Sequence, residues 1–131
     1  MQDRPSIDEL LEAVAGFLHE DVMVNTTGRL SFHARVAGNV VQMLRRELQH
    51  EEEHLTQEWT SLNATLGEHL APPASLTDAR AALLARNEAL AAHVRAGDFD
   101  RVPARAGLLA HLRTVTHAKL VVSNPALAGE G

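Results

Sequence analysis

Hydrophobic residues recur every three or four positions along most of the chain, which is the spacing of an amphipathic α-helix. The first such stretch follows a capping box formed by Ser6 and Glu9 and predicts a helix over residues 7–22. Its apolar positions are Ile7, Leu10, Leu11, Val14, Phe17, Leu18 and Val22. The strict alternation that is typical of a half-buried β-strand does not occur in the sequence. The pattern therefore predicts an all-α protein.

The second stretch keeps the helical spacing without a break over residues 29–66, and no proline interrupts it. One helix of that length measures roughly 55 Å at 1.5 Å per residue. Its first half carries a second apolar row, and a helix that is apolar over so much of its circumference packs on two sides. That second row consists of Phe32, Val36, Val40 and Met43. The second half keeps only a narrow seam around Trp59, which suits a single neighbouring helix.

Glycine and proline mark the ends of the remaining helices. Gly67 can end the second helix, and a pair of prolines at 72 and 73 prevents its continuation. Ser75 and Asp78 form another capping box, which predicts a third helix over residues 76–96.

The last part of the chain predicts one more helix and a tail. Asp98 or Asp100 can cap a helix over residues 101–122, with a proline tolerated in its first turn. Residues 126–131 are expected to form a flexible tail.

Four helices with short connections predict a single-domain antiparallel helical bundle over residues 1–131, with the long second helix at its centre. Because the second helix is longer than its neighbours, the seam around Trp59 must be covered by something. Either the third helix folds back onto the seam, or the seam is an association surface for another chain. In the second case the other chain could be a further copy of this protein, in a homo-oligomer. The sequence does not choose between these two interpretations.

Composition narrows the classes of function. The 131 residues include no cysteine, which excludes a disulfide framework and a thiolate zinc site. Twelve basic and seventeen acidic residues leave a net charge of -5, which disfavours nucleic-acid binding. No apolar run approaches the roughly 20 residues that cross a bilayer, and no signal peptide is visible. We therefore expect a cytoplasmic protein that binds neither nucleic acid nor membrane.

One motif could carry metal chemistry. His50 and His54 flank three glutamates and match H-E-x-x-H, in which two imidazoles one helical turn apart bind zinc and Glu51 activates its water. No third ligand follows at the expected offset, and both histidines lie off the apolar seam, so a solvated run of charges is the favoured interpretation. The rival hypothesis is a metal-dependent bundle enzyme that adds His19 or His111 as a third ligand. Because nucleotide-binding and nucleophile motifs are also missing from the sequence, we predict no catalytic residue and no cofactor.

Three polar residues lie within apolar rows of the predicted helices: Asn39, Asn87 and Lys119. A buried amide or ammonium group costs free energy unless it is paired, so each of them needs a partner. That partner is either another group of the same fold or a group across a pocket or an interface. Asp98 and Asp100 are acids of this kind, and Arg95 could pair with either of them.

Five groups of residues, spread in order over nearly the whole chain, carry a family resemblance. They are Arg4-Pro5 before Glu9-Leu10-Leu11, Phe32-His33-Ala34-Arg35-Val36-Ala37 with Asn39, Arg46-Glu47-Leu48, Arg95-Ala96-Gly97 with Asp100, and Lys119-Leu120 with Asn124-Pro125. In these residues the chain resembles a small bacterial all-helical domain of unknown function that is encoded beside aminoglycoside-phosphotransferase-like kinases and acyl-CoA dehydrogenases. The family resembled includes the small subunit of a 4-hydroxyacyl-CoA kinase, whose large subunit carries the ATP site.

The resemblance implies a non-catalytic accessory subunit that binds an aminoglycoside-phosphotransferase-like kinase acting on hydroxyacyl-CoA substrates in acid catabolism. The second helix and the corner at residues 97–100 would make the contacts. The candidate partner-binding residues are His33, Arg35, Asn39, Arg46, Glu47, Trp59, Arg95, Asp98, Asp100, Lys119 and Asn124. The metal-dependent enzyme and a self-associating structural bundle remain the alternatives.

Overall fold

The computed structural model describes residues 4–129, and within that range it contains α-helices and no β-strand. Helix α1 spans Ile7–Gly16 and continues as a π-helical segment, Phe17–Val22. The others are α2 (Gly28–Leu66), α3 (Leu76–Ala96), α4 (Ala104–Ser123) and the short α5 (Pro125–Ala128). The prediction of an all-α protein with a long second helix is confirmed. No described helix combines the length and the apolar composition needed to cross a bilayer.

The caps proposed from the sequence for α1 and α3 form as expected. The Ser6 hydroxyl accepts a hydrogen bond from the Glu9 N–H at 3.2 Å, and the Glu9 carboxylate accepts one from the Ser6 N–H at 2.7 Å. At α3 the Ser75 hydroxyl accepts from the Asp78 N–H at 3.0 Å. Gly97 ends α3 with φ at +90°, a left-handed conformation that glycine adopts without strain.

Helix α4 begins later than the sequence predicts, at Ala104 and not at residue 101. A residue that precedes proline is disfavoured in the α conformation, so Val102 cannot start a helix in front of Pro103. Pro103 occupies the N-cap position, and no side chain caps this helix. The capping role predicted for Asp98 or Asp100 is therefore wrong.

The expected flexible tail also needs correction, because Pro125–Ala128 forms one further helical turn, α5. Proline suits the first position of a helix, since its missing N–H would have no partner there. Asn124 separates α4 from α5 with φ at -151° and ψ at 78°. Residues 130 and 131, the end of the predicted tail, lie outside the described residues.

Packing divides the chain into two compact units, Met1–Gln49 and His50–Gly131, and the division falls within α2. We call them the hairpin unit and the core unit. The single domain predicted over residues 1–131 stays a prediction.

In the hairpin unit, α1 and the first half of α2 run antiparallel. Near the start of α1, Asp8 accepts two hydrogen bonds from Arg45, at 2.5 and 2.7 Å. At the opposite end, the Ser31 hydroxyl donates to the carbonyl of Met23 at 2.9 Å. Later residues on the first helix therefore meet earlier residues on the second. The Arg45 hydrogen bonds hold the pKa of the Asp8 carboxyl below its usual value.

Small residues allow the two helices of the hairpin to approach closely. Ala15 and Ala34 are buried, at 0% and 5% exposure. Gly38 is buried as well, and a Cβ atom placed on it would lie 2.3 Å from Nε2 of His19. The fully buried positions of the hairpin are therefore all small residues.

The core unit has a conventional hydrophobic centre. Its buried residues come from α2, α3 and α4 and are Trp59, Leu62, Leu83, Leu90 and Leu108. Partly buried hydrophobic residues pack around them, namely Leu55, Leu66, Ala82 and Phe99.

Helix α3 runs parallel to α2, which corrects the antiparallel arrangement predicted for this pair. Glu51 forms an ion pair with Arg80, and the Asn87 amide donates to Glu58 at 2.7 Å. A step of seven residues along α2 thus corresponds to a step of seven residues in the same direction along α3.

The connection at residues 67–75 makes the parallel arrangement feasible. It turns back along α2, where the Trp59 indole N–H and the Asn63 amide donate to the carbonyl of Leu70 at 2.7 and 2.9 Å. Leu76, the first residue of α3, lines the same groove as Glu52. The distance along α2 from its end at Leu66 back to Glu52 is about 20 Å. The nine residues 67–75 can span this distance, because nine extended residues reach up to about 30 Å.

Candidate interaction surface

The first half of α2 presents one mixed apolar and polar face to solvent. Phe32, Val36 and Met43 are exposed by 53%, 41% and 38%, and Arg35 and Asn39 are exposed between them. We call these five residues the α2 flank. Each lies three or four positions from another member, and all five fall within about 100° of the helix circumference, so they share one side of the helix. The Arg35 guanidinium lies 5.4 Å from the centroid of the Phe32 ring, within the range of a cation–π interaction.

Other residues singled out in the sequence adjoin this flank. His33 is exposed, its ring meets the Phe32 ring edge-on at 5.6 Å, and its Nε2 accepts a hydrogen bond from Arg29 at 3.2 Å. Arg46 and Glu47 lie one turn beyond the flank, half-buried and exposed respectively. The structure therefore brings the α2 candidates of the hairpin unit together.

Trp59 does not belong to an exposed surface. It is 6% exposed, and the guanidinium of Arg86 lies 4.4 Å from the centroid of its ring. Leu83 and Leu90 of α3 share the core cluster with it. Of the two interpretations that the sequence left open, the fold-back of the third helix is the one observed. The assignment of Trp59 as a partner-binding residue is wrong because α3 covers it.

The corner between α3 and α4 is exposed but held by local contacts. Arg95, Asp98 and Asp100 all lie at the surface. Asp98 pairs with His93, at 2.6 Å, where the sequence suggested Arg95. The backbone carbonyl of Asp100 accepts a hydrogen bond from Arg105. These groups are far from the α2 flank in sequence, and each has an exposed side chain that a partner could still reach.

Two further candidates lie toward the end of α4. Lys119 and Asn124 are exposed, so neither is a buried polar group that requires a partner within the fold. Asn39 is exposed as well, whereas Asn87 is half-buried and donates to Glu58. The expectation of a buried partner thus holds for Asn87 alone among the three residues of that group.

The H-E-x-x-H segment has a different geometry from a zinc centre. The imidazoles of His50 and His54 are half-buried and stack face to face, with centroids 5.3 Å apart and planes at 16°. The carboxylate of Glu51 is buried and accepts a hydrogen bond from Arg80. Within residues 4–129, no three histidine, aspartate or glutamate side chains are placed to hold one metal ion. The expectation that the histidines face solvent is corrected, since each is half-buried.

Sequence reasoning missed a polar cluster inside the core unit. His111 is 2% exposed, and its Nδ1 is hydrogen-bonded to the Ser61 hydroxyl at 2.9 Å. Burial lowers the pKa of His111; the nearby charge of Glu58 opposes this, and that of Arg86 adds to it. A hydroxyl beside a neutral imidazole is the start of a nucleophilic site. Here Ser61 is half-buried and His111 is almost completely buried behind it.

Arg86 organises the opposite side of this cluster. One nitrogen, Nη2, donates to Asn63 and to Glu68, both at 2.7 Å. Its Nε and Nη1 atoms are buried without a hydrogen-bond partner, while the guanidinium plane lies against Trp59. In the sequence, the only signal for this cluster is that His111 falls on the apolar row of α4 with Leu108.

Comparison with known proteins supports the family interpretation at a coarse level. No curated protein and no solved structure matches the chain. A family model matches residues 24–127, a range that includes α2, α3 and α4 in full and therefore the α2 flank. The resemblance to a helical domain of unknown function is confirmed, while the link to a kinase stays a prediction. The chain belongs to the family described as a domain of unknown function, DUF6285.

Proposed function

We propose that this protein is a non-catalytic accessory subunit of a cytoplasmic, aminoglycoside-phosphotransferase-like kinase that acts on hydroxyacyl-CoA substrates in acid catabolism. The observation that carries the proposal is the α2 flank. It combines residues of the family resemblance with large hydrophobic side chains that have no cover.

The residue types of the flank suit a protein partner. Aromatic residues, methionine and arginine are enriched in the centres of protein–protein interfaces, and the flank holds Phe32, Arg35 and Met43. Asn39 and Glu47 supply polar groups next to them, as at the rim of an interface. A contiguous exposed apolar patch of this kind is typical of a binding surface.

An accessory subunit of this type acts through contacts and supplies no reacting group. If the kinase alternates between an active and an inactive conformation, a subunit that binds the active one more tightly shifts the population toward it. The rate of phosphorylation then rises by the ratio of the two affinities, up to full occupancy of the active conformation.

Co-expression with an aminoglycoside-phosphotransferase-like kinase, the neighbour that the family resemblance implies, tests the proposal. We expect the two chains to co-purify and the kinase to phosphorylate a hydroxyacyl-CoA faster in the complex. Phe32→Ala removes the largest exposed side chain of the flank and is expected to weaken the complex about 30-fold, as an interface hot spot does. Leu84→Ala, which changes an apolar residue on α3 that is more exposed than Phe32, is the control and should leave the affinity unchanged. Absence of a complex, together with an unchanged phosphorylation rate, would contradict the proposal.

A further inference from the structure

The α1 helix carries an apolar seam of which only half is covered. Ile7, Leu11, Val14 and Leu18 follow steps of four, three and four, the spacing of a bundle helix. Leu11 and Leu18, the latter in the π-helical segment, are half-buried. Ile7 and Val14 are 64% and 49% exposed.

The first half of α2 repeats this arrangement. Leu30, Ala34, Ala37, Val41 and Leu44 also alternate steps of four and three. Ala34 is buried and Val41 half-buried, whereas Ala37 is exposed and Leu30 and Leu44 are 58% and 52% exposed. In both helices every second position of the seam is therefore uncovered.

The two uncovered rows lie on the same side of the hairpin. In α1, Val14 immediately precedes the buried Ala15, and in α2, Ala37 immediately precedes the buried Gly38. Each uncovered row is thus rotated from the contact between the helices by about 100°, in the same sense along the chain. Because the helices are antiparallel, equal rotations turn both rows toward one side. They form a single apolar face, which we call the seam face: Ile7, Val14, Leu30, Ala37, Leu44 and Leu48.

We propose that a second copy of this chain covers the seam face, so that two hairpins form a four-helix bundle. In such a bundle each seam points at the bundle axis and contacts two neighbouring helices. The hairpin supplies one neighbour for each helix. A second hairpin with the same seam supplies the other neighbour for both.

The absence of charge on the seam face favours an identical partner. None of its six residues is ionisable, so two copies that each carry a net charge of -5 meet there without opposing like charges. A two-fold dimer places the same patch on both sides of the contact, and an uncharged apolar patch is complementary to itself.

The size of the face fits a dimer of modest area. Its six side chains expose on the order of 500 Å² per copy before the surrounding rim is counted, and the smaller specific interfaces bury about 600 Å² per partner. Leu10, which is 43% exposed one turn along α1, extends the patch.

The seam face is separate from the α2 flank, so the dimer does not depend on the proposed kinase complex. Ala37 and Asn39 are two residues apart and therefore point about 200° apart around the helix. One hairpin can bind a second copy on one side and a different protein on the other.

Sedimentation equilibrium of the complete chain between about 1 and 100 µM tests the inference. We expect a species of twice the 14.2 kDa chain mass. Leu44→Glu places a carboxylate within the apolar contact, and we expect it to yield the monomer over this range. Leu84→Glu adds the same charge at a leucine that is 64% exposed on α3 and should leave the dimer intact.

A wild-type chain that stays monomeric at about 100 µM would overturn the inference, as would a Leu44→Glu variant that dimerises as tightly as Leu84→Glu. Circular dichroism on each variant checks that the helices persist. Should Leu44→Glu lose its helices, Leu30→Glu at the other end of the seam face takes its place. The mass of the wild-type chain is decisive in either case.

Discussion

His111 illustrates at the scale of one residue how burial controls chemistry in the core unit. It is 2% exposed and hydrogen-bonded to Ser61, and burial is the largest influence on its lowered pKa. The imidazole is therefore held neutral where an exposed histidine would begin to take up a proton. From the sequence, His111 was considered only as a metal ligand, and the sequence could not show that Ser61 would meet it, because the two residues are 50 positions apart.

The lowered pKa of His111 predicts a loss of stability in mild acid. In the unfolded chain its pKa returns to about 6.5, so below that pH the unfolded state binds a proton that the folded state does not. The free energy of unfolding is therefore unaffected by His111 titration above about pH 6.5. It declines as the pH falls toward the pKa of His111 in the folded state, by at most about 1.4 kcal/mol per pH unit. Urea unfolding at pH 7.5 and 5.5 measures it. His111→Gln should lose less stability than the wild type over that interval; equal losses would contradict this prediction.

Glu51 is the second residue whose surroundings decide its role. Its carboxylate is buried, while Arg80, its partner, is half exposed. Removing Arg80 leaves a buried charge without its hydrogen bonds. We expect Arg80→Ala to lower the free energy of unfolding by about 1–3 kcal/mol in denaturant titrations. Arg113→Ala, at an exposed position on α4, is the control and should change it by less than about 0.5 kcal/mol.

At the scale of elements, the hairpin places the His19 ring of the π-helical segment directly against Gly38 of α2. In the sequence, Gly38 is simply a glycine within a helical stretch, a position where glycine is normally unfavourable. The structure supplies the reason for it, since the His19 ring occupies the space that a side chain at this position would need.

Two glycine substitutions separate helix propensity from packing. Gly107 in α4 has open space around it, so Gly107→Leu should stabilise the protein by about 0.5–1 kcal/mol through helix propensity. Gly38→Leu must displace the His19 ring from its place against α2, and we expect it to destabilise the protein by about 1–3 kcal/mol. Thermal and urea unfolding of both variants distinguish the two effects. Gains of similar size in both variants would show that the helices are not in close contact at Gly38.

For the whole molecule, the notable feature is how its apolar surface is distributed. The core unit buries its central hydrophobic residues between α2, α3 and α4, whereas the hairpin unit buries little beyond small residues. Most of the larger apolar side chains of the hairpin are therefore exposed, and they lie on two sides of α2. The seam face suits a second copy of the chain, and the α2 flank suits a different protein.

Because these two faces lie on different sides of α2, variants in one should not affect the other. We expect Phe32→Ala to sediment as the wild type does, even though it weakens binding to the kinase. Conversely, Leu44→Glu should still bind the kinase as a monomer. Loss of both interactions in either variant, with helicity retained, would show that the faces are a single surface.

The sequence alone determined the helices and most of their ends, because the 3–4 spacing, capping boxes and helix-ending glycines act within a few residues of the chain. It also identified Arg35 and Asn39, which lie on one exposed face of α2. It could not determine the direction of α3, since residues 67–75 are long enough to turn either way and contacts such as Glu51 with Arg80 join residues 29 positions apart. The same limit explains Trp59, whose burial depends on where α3 packs. Contacts between distant segments are decided by the tertiary structure, because only the folded chain sets which apolar rows face each other and which stay uncovered.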